Sequence, residues 1–275
     1  MLERIPLRPI VLDAAMGTRL IAEGLEIDHD DPALWTIDRP ERIVAIHARD
    51  HEAGAEALTT CTFGANRPAL ARSGRSSELE RINQAAVALA RGVIGPNGYV
   101  LGNLGPRVAE RAGAALEQAL ILASAGVDAL ILETFTAGPI LEVLDELARS
   151  DEPLPPRIAS LWLWPEPAGE LARRLVDSGA ALVGMNCRPG TASALAFARS
   201  IADAGGIPLA IRPSADPDDP DSTPDAFARA APALVDLGCR MLGGCCGTTE
   251  LHVARIRQAL NSSPTPTRHL ATSNP

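Results

Sequence analysis

The chain of 275 residues is 46% hydrophobic and 21% charged, enough to bury the core of one or at most two domains, which excludes a disordered or collagen-like protein. Its 34 acidic residues outnumber 25 basic ones, leaving a formal charge of −9, and every one of those 25 is arginine. An acidic chain without lysine and with 3% aromatics argues against a nucleic-acid partner and excludes a Schiff-base or P-loop lysine.

In chain order, eight short apolar or β-branched runs alternate with helix-length stretches of Ala, Leu, Arg and Glu. Strands are expected at 9–15, 56–63, 98–104, 128–135, 157–163, 181–187, 207–212 and 239–245. Helices are expected near 40–53, 77–93, 107–125, 137–149, 167–178, 191–204, 224–237 and 249–260. Eight βα units in this length predict a single (β/α)8 TIM barrel, an α/β fold, over residues 1–260. A doubly wound dinucleotide-binding sheet is disfavoured, because Asp13-Ala14-Ala15-Met16-Gly17 after the first strand is not G-x-G-x-x-G. Residues 261–275, rich in Ser, Thr and Pro, read as a disordered tail. No apolar run approaches the ~20 residues of a membrane span, and the first residues lack the pattern of an export signal. The expectation is a cytoplasmic protein with no membrane association.

The barrel register places polar residues at the C-terminal ends of strands, where this fold carries its chemistry. They are Asp13, Thr60 and Thr62, Asn103, Glu133, Asn186 and Cys187, and Cys245 and Cys246. Cys187 ends the sixth strand and Cys245-Cys246 end the eighth inside GGCCGT, so closure of the barrel brings three thiols to one side of its mouth. Neighbouring cysteines sit ~3.8 Å apart at Cα, too close for an ordinary disulfide at ~4.4–6.8 Å. Both can ligate one metal if the backbone bends, as Gly243, Gly244 and Gly247 allow. Three thiolates select a soft-accepting ion, zinc by default, and leave a tetrahedral position open, the pattern of a catalytic site. Cys61 alternates away from Thr60 and Thr62 into the strand–helix layer, and Cys239 begins its strand at the far end of the barrel; both are expected to pack. His47 and His51 share a helix face, but H-A-R-D-H is not the H-E-x-x-H of a zinc site. Asp13 and Glu133 form a pair suited to an ammonium group.

Five segments carry a family resemblance: DAAMGT at 13–18, AGAEALTTCTFGANR at 53–67, GVDALILET at 126–134, VGMNC at 183–187 and GGCCGT at 243–248. They resemble the zinc-dependent homocysteine S-methyltransferases, which include betaine- and S-methylmethionine-dependent enzymes and the homocysteine module of cobalamin-dependent methionine synthase. The resemblance implies Zn2+ held by Cys187, Cys245 and Cys246, with homocysteine sulfur as fourth ligand accepting a methyl group to give methionine. It implies that Asp13 and Glu133 hold the amino acid's ammonium group, and that backbone amides near Ala14 and the Thr60–Phe63 strand end receive its carboxylate. Asn186, beside Cys187 in the same motif, is placed with the substrate-binding residues. Four departures stand out. Ala14 replaces the first glycine of D-G-A-M-G-T, Cys61 replaces the Asn of T-N-T-F, Arg212-Pro213-Ser214 replaces Y-P-N, and the loop after Gly105-Pro106 is short.

The donor side is open. S-methylmethionine or S-adenosylmethionine suits a stand-alone barrel, a methylated corrinoid requires a partner protein, and betaine needs an aromatic cage, for which Trp162 and Trp164 on one strand face are the candidates. The alternative is a non-catalytic zinc- or thiol-binding barrel that has lost donor recognition with its shortened loop.

Overall fold

The eight apolar runs assemble into one parallel sheet. In the computed structural model, which describes residues 9–27, 30–165, 167–202 and 204–262, the first four strands are β1 (Ile10–Val11), β2 (Ala57–Thr59), β3 (Tyr99–Leu104) and β4 (Ala129–Phe135). They continue as β5 (Arg157–Leu161), β6 (Ala180–Pro189), β7 (Leu209–Ser214) and β8 (Cys239–Leu242). The order β1-β8-β7-β6-β5-β4-β3-β2 runs once around. A parallel bridge between Leu12 and Ala57 and a bond from the Glu56 amide to the Val11 carbonyl bring β2 back to β1. The expected single (β/α)8 TIM barrel therefore forms, with a thin seam between its first two strands. The tail expected over 261–275 begins inside the last helix at Asn261 and Ser262, and 263–275 lie outside the described residues.

Alternation along the strands sorts the core into two layers. Leu12, Leu101, Ile131, Ile158, Leu182 and Met241 fill the barrel interior. Their odd-numbered or even-numbered neighbours, such as Leu58, Val100, Leu130, Val183, Ile211 and Leu242, face the helices. Each such aliphatic side chain stabilises the fold by about 1.5–3 kcal/mol on burial. Cys61 joins the outer layer against Leu20, Leu25 and Trp35, and its thiol donates to the Pro32 carbonyl. Cys239 is buried at the start of β8.

The strands at the seam are shorter than the apolar runs from which they were expected. Beyond Val11, Thr59 and Leu242 the regular strands end, but the continuing backbone stays bonded to its neighbours: the Gly244 amide donates to the Asp13 carbonyl, and the Cys245 amide to the Pro213 carbonyl. The helix expected over 107–125 is also divided. A 3-10 turn at Pro106–Glu110 is followed by Gly113 at φ +82°, a left-handed conformation that suits glycine, and the α-helix proper is Ala114–Ser124. Among the described residues, no helix is long and apolar enough to cross a membrane.

Candidate metal and acceptor site

The step of two that lines the barrel interior also builds the polar layer above it. It leads from Ala57 to Thr59, from Leu101 to Asn103, from Ile131 to Glu133, from Ile158 to Ser160 and from Ala210 to Arg212. The three thiols complete this layer. Their sulfurs all lie within 4.8 Å of one another, at 2.9 Å for Cys187–Cys245, 3.9 Å for Cys187–Cys246 and 4.0 Å for Cys245–Cys246. A tetrahedral metal with bonds of ~2.3 Å to sulfur spaces its ligands ~3.8 Å apart. Two of the three edges already have that length, so the residues fit a zinc-sized thiophilic ion. Cys245 is buried and Cys246 exposed, which leaves the cluster open on one side.

The backbone is specialised at each ligand. Gly247 has φ +76°, and a Cβ there would collide with the Ala215 carbonyl, so the turn after Cys245-Cys246 requires glycine. Cys187 itself has φ +57° and Thr134, after Glu133, has φ +66°. Left-handed non-glycine residues cost about 1–3 kcal/mol each and persist only where their surroundings hold them. Here the buried Asn186 is the holder. Its Oδ1 accepts from the Thr134 amide at 3.1 Å and the Ser160 hydroxyl at 2.7 Å, while its Nδ2 donates to Thr134 Oγ1 at 2.7 Å and Cys187 Sγ at 3.2 Å. Asn186 thus sits behind the thiol cluster and ties β4, β5 and β6 together.

With no metal bound the thiols hold their protons. The hydrogen bond with Cys187 is the largest cause that pushes Cys245 up to about 12, reinforced by burial and by the charge of Glu133. Cys187 and Cys246 rise to about 11, against an ordinary value of 9.0; in each, one thiol–thiol hydrogen bond pulls downward while the other, with burial, pulls upward and prevails.

On the acceptor side, Asp13 and Glu133 come together across a third residue, Arg212. Arg212 Nη2 lies 3.0 Å from Asp13 Oδ1 and Nη1 lies 3.5 Å from Glu133 Oε1. Asp13 also accepts from the Thr59 amide at 2.6 Å and the Thr59 hydroxyl at 2.9 Å. Burial raises the Asp13 carboxyl above its ordinary value, opposed by Arg212 and the Thr59 bonds. Burial pulls the Arg212 guanidinium down, and the charges of Glu133 and Asp13 more than offset it. Glu133 Oε2 accepts from Asn103 Nδ2 at 2.8 Å.

The other expected contacts bond within the protein. The Thr60 and Thr62 hydroxyls lie 2.7 Å apart, the Thr62 hydroxyl donates to the Asn103 carbonyl at 2.8 Å, and the Thr60 hydroxyl lies 3.2 Å from the Leu101 carbonyl, holding the end of β2 to β3. The Ala14 amide donates to Asp50, which is paired with Arg19. Trp162 and Trp164 do not share a face, because β5 ends at Leu161; Trp164 donates to the Gly184 carbonyl and packs on Phe197, while Trp162 is exposed. Neither nitrogen of the buried His47 has a hydrogen-bond partner among the described residues, and His51 meets the Ala55 carbonyl. Reading polar residues at run ends missed Thr59, Thr134, Ser160 and Arg212. For Thr59, Ser160 and Arg212 the step of two from the interior was the available signal.

A parallel barrel with three convergent thiols at its C-terminal mouth defines a class of (β/α)8 proteins able to hold a thiophilic metal where the fold does its chemistry. The chain belongs to the homocysteine S-methyltransferase family, whose model matches residues 10–260. It is 26% identical to a methionine synthase of Mycobacterium tuberculosis over 98% of this chain but 26% of that protein, so it spans about a quarter of the methionine synthases it matches. An S-methylmethionine–homocysteine S-methyltransferase of Pongo abelii is 27% identical, over 82% of this chain and 72% of the relative. The metallated form of the homocysteine methyltransferase MmuM from Escherichia coli superposes with a TM-score of 0.75 at 22% identity, covering 91% of this chain and 96% of that one, a likeness of fold.

Proposed function

We propose that this barrel binds zinc through Cys187, Cys245 and Cys246 and moves a methyl group to the thiol of homocysteine or a similar small thiol, giving methionine or the corresponding thioether. The observation that carries this reading is the convergence of three thiols, open on one side, at the mouth of the barrel. Zinc held by these three cysteines would supply an open coordination position that favours the ionised, nucleophilic form of a small thiol. Asn186 holds Cys187 in its left-handed conformation, and the Gly247 turn holds Cys245 and Cys246 on the facing side. Glu133 and Asn103 offer acceptor atoms to the head group of the thiol. The kinship with methyltransferases favours transfer over mere sequestration of thiols. For the donor, a small sulfonium such as S-methylmethionine or S-adenosylmethionine suits a single barrel, and kinship with methionine synthases brings in a methylcorrinoid protein as the partner to include. Five free cysteines fit a reducing, cytoplasmic setting.

The test is transfer of labelled methyl to homocysteine by the zinc-loaded protein, offered S-methylmethionine, S-adenosylmethionine, betaine and a methylcorrinoid protein in turn. Transfer from one donor, abolished by Cys245→Ser, is expected. No transfer from any of the four, to homocysteine or to a small thiol related to it, would refute the reading.

A further inference from the structure

Two buried carboxylates beside a thiol cluster would make a trap for a cation, but here a cation is built in. Arg212 is 4% exposed and reaches between them. Its Nη2 binds Asp13 at 3.0 Å, its Nη1 donates to Thr59 Oγ1 at 2.9 Å and lies 3.5 Å from Glu133 Oε1, and its Nε donates to the Gly244 carbonyl at 3.1 Å. Asp13, bonded by both Thr59 groups as well, has its two oxygens engaged. Glu133 is different. One oxygen accepts from Asn103 and the other meets Arg212 only at the looser 3.5 Å, so it retains acceptor capacity. Beside it the buried Oδ1 of Asn103 has no hydrogen-bond partner among the described residues. An orphaned buried acceptor calls for a donor from a ligand or water. The formal charge of Asp13, Glu133 and Arg212 together is −1, half that of the carboxylate pair alone.

We propose that Arg212 is a specificity-determining residue that makes this subsite one for an uncharged hydrogen-bond donor, so that the acceptor thiol is recognised by a hydroxyl on its head group rather than by an ammonium. The inference rests on the reading of this mouth as a thiol methyl-acceptor site. An ammonium seated on Glu133 would lie against a guanidinium held by the same carboxylate, and like charges in an enclosed site repel strongly. A hydroxyl donates its one hydrogen to Glu133 or to Asn103 Oδ1 and brings no positive charge. Its oxygen also accepts, and Arg212 Nη2 has a second N–H beyond the one given to Asp13.

The experiment compares binding of homocysteine and of its α-hydroxy analogue, 2-hydroxy-4-mercaptobutanoate, to the zinc-loaded protein by calorimetry, in the wild type, Arg212→Gln and Arg212→Lys. The wild type is expected to bind the hydroxy thiol at least as tightly as homocysteine. Arg212→Gln should shift the ratio toward homocysteine by tenfold or more, and Arg212→Lys, which keeps the charge, should leave it near the wild-type ratio. A wild-type preference for homocysteine of tenfold or more would overturn the proposal, as would a ratio unmoved in Arg212→Gln. If Arg212→Gln does not fold, the wild-type ratio decides alone. Binding of the thiols without methyl transfer from any donor would sink the methyltransferase reading while the ratio still judged Arg212. Binding of neither thiol would overturn both.

Discussion

Replacing Asn186 with alanine should weaken the metal site more than it weakens the fold. The side chain bonds the Thr134 amide, the Thr134 and Ser160 hydroxyls and the Cys187 thiol. In the variant the two hydroxyls can rotate to other partners, but the Thr134 amide cannot, and a backbone donor left unsatisfied costs about 1–3 kcal/mol. Working against this, Thr134 and Cys187 lose the constraint that keeps them at φ +66° and +57°. Relaxation of either returns part of the about 1–3 kcal/mol of strain each stores. The net loss of stability should therefore stay near or below 3 kcal/mol, while Cys187 swings away from the position it shares with Cys245 and Cys246. Loss of an orienting partner behind a metal ligand typically lowers metal affinity by about 10–100-fold. Urea unfolding of the metal-free protein and zinc competition against a chromogenic chelator measure the two effects separately. A stability loss with zinc affinity unchanged within a factor of two would refute the idea that Asn186 holds Cys187 for the metal.

Cys245→Ser should lose most of its zinc by elemental analysis with the barrel still folded, whereas Cys61→Ala, whose thiol lies against Leu20 and Trp35, should keep it; full zinc in the first variant would reject the ligand assignment. Because the metal-free thiols hold their protons up to about 11 or 12, zinc binding at neutral pH must release protons, and apparent zinc affinity should climb between pH 6 and 8; a flat profile would exclude thiols as the ligands. The same thiols ionise near 9 when unfolded, so the metal-free fold is favoured by them below pH 9 and loses that contribution as pH rises toward 11–12, which alkaline unfolding curves will show. His47 is held neutral down to about 4 by burial, against 6.5 when unfolded, so its contribution to stability is present above pH 6.5 and lost as pH falls toward 4. His47→Leu should flatten that acid slope, and an unchanged slope would assign it elsewhere.

The fold was legible because each interior strand is a short apolar run followed by an amphipathic helix, a pattern that survives even where the ladder itself shrinks to Ile10–Val11. The thiol cluster was legible because glycines around Cys245-Cys246 mark a bend that packing alone does not need. What stayed hidden depends on distance and on where strands end. Arg212 and Asp13 meet across 199 positions, and nothing local to either announces the pair. Because β2 ends at Thr59, that residue lies against Asp13, while the Thr60 hydroxyl faces the β3 backbone, a one-residue difference that the apolar run does not resolve. Strand alternation, which would set Trp164 beside Trp162, stops at Leu161. The bonds of Asn186 to Thr134, Ser160 and Cys187 are a matter of three-dimensional neighbours and leave no mark in the VGMNC segment.

The seam between β1 and β2 has a consequence for how this protein can change. Around most of the circle, neighbouring strands are joined by several backbone pairs, but here closure rests on the Leu12–Ala57 bridge, the bonds between Glu56 and Val11, and the grip of Asp13 on the amide and hydroxyl of Thr59. Asp13 is thus both a wall of the pocket and a clasp of the barrel. Mutational drift at this position is constrained twice, and a new head-group preference cannot be reached by altering Asp13 without slackening the ring that positions every other group. The permissible route to new specificity runs through its partner across the mouth, Arg212, which meets Asp13 at 3.0 Å.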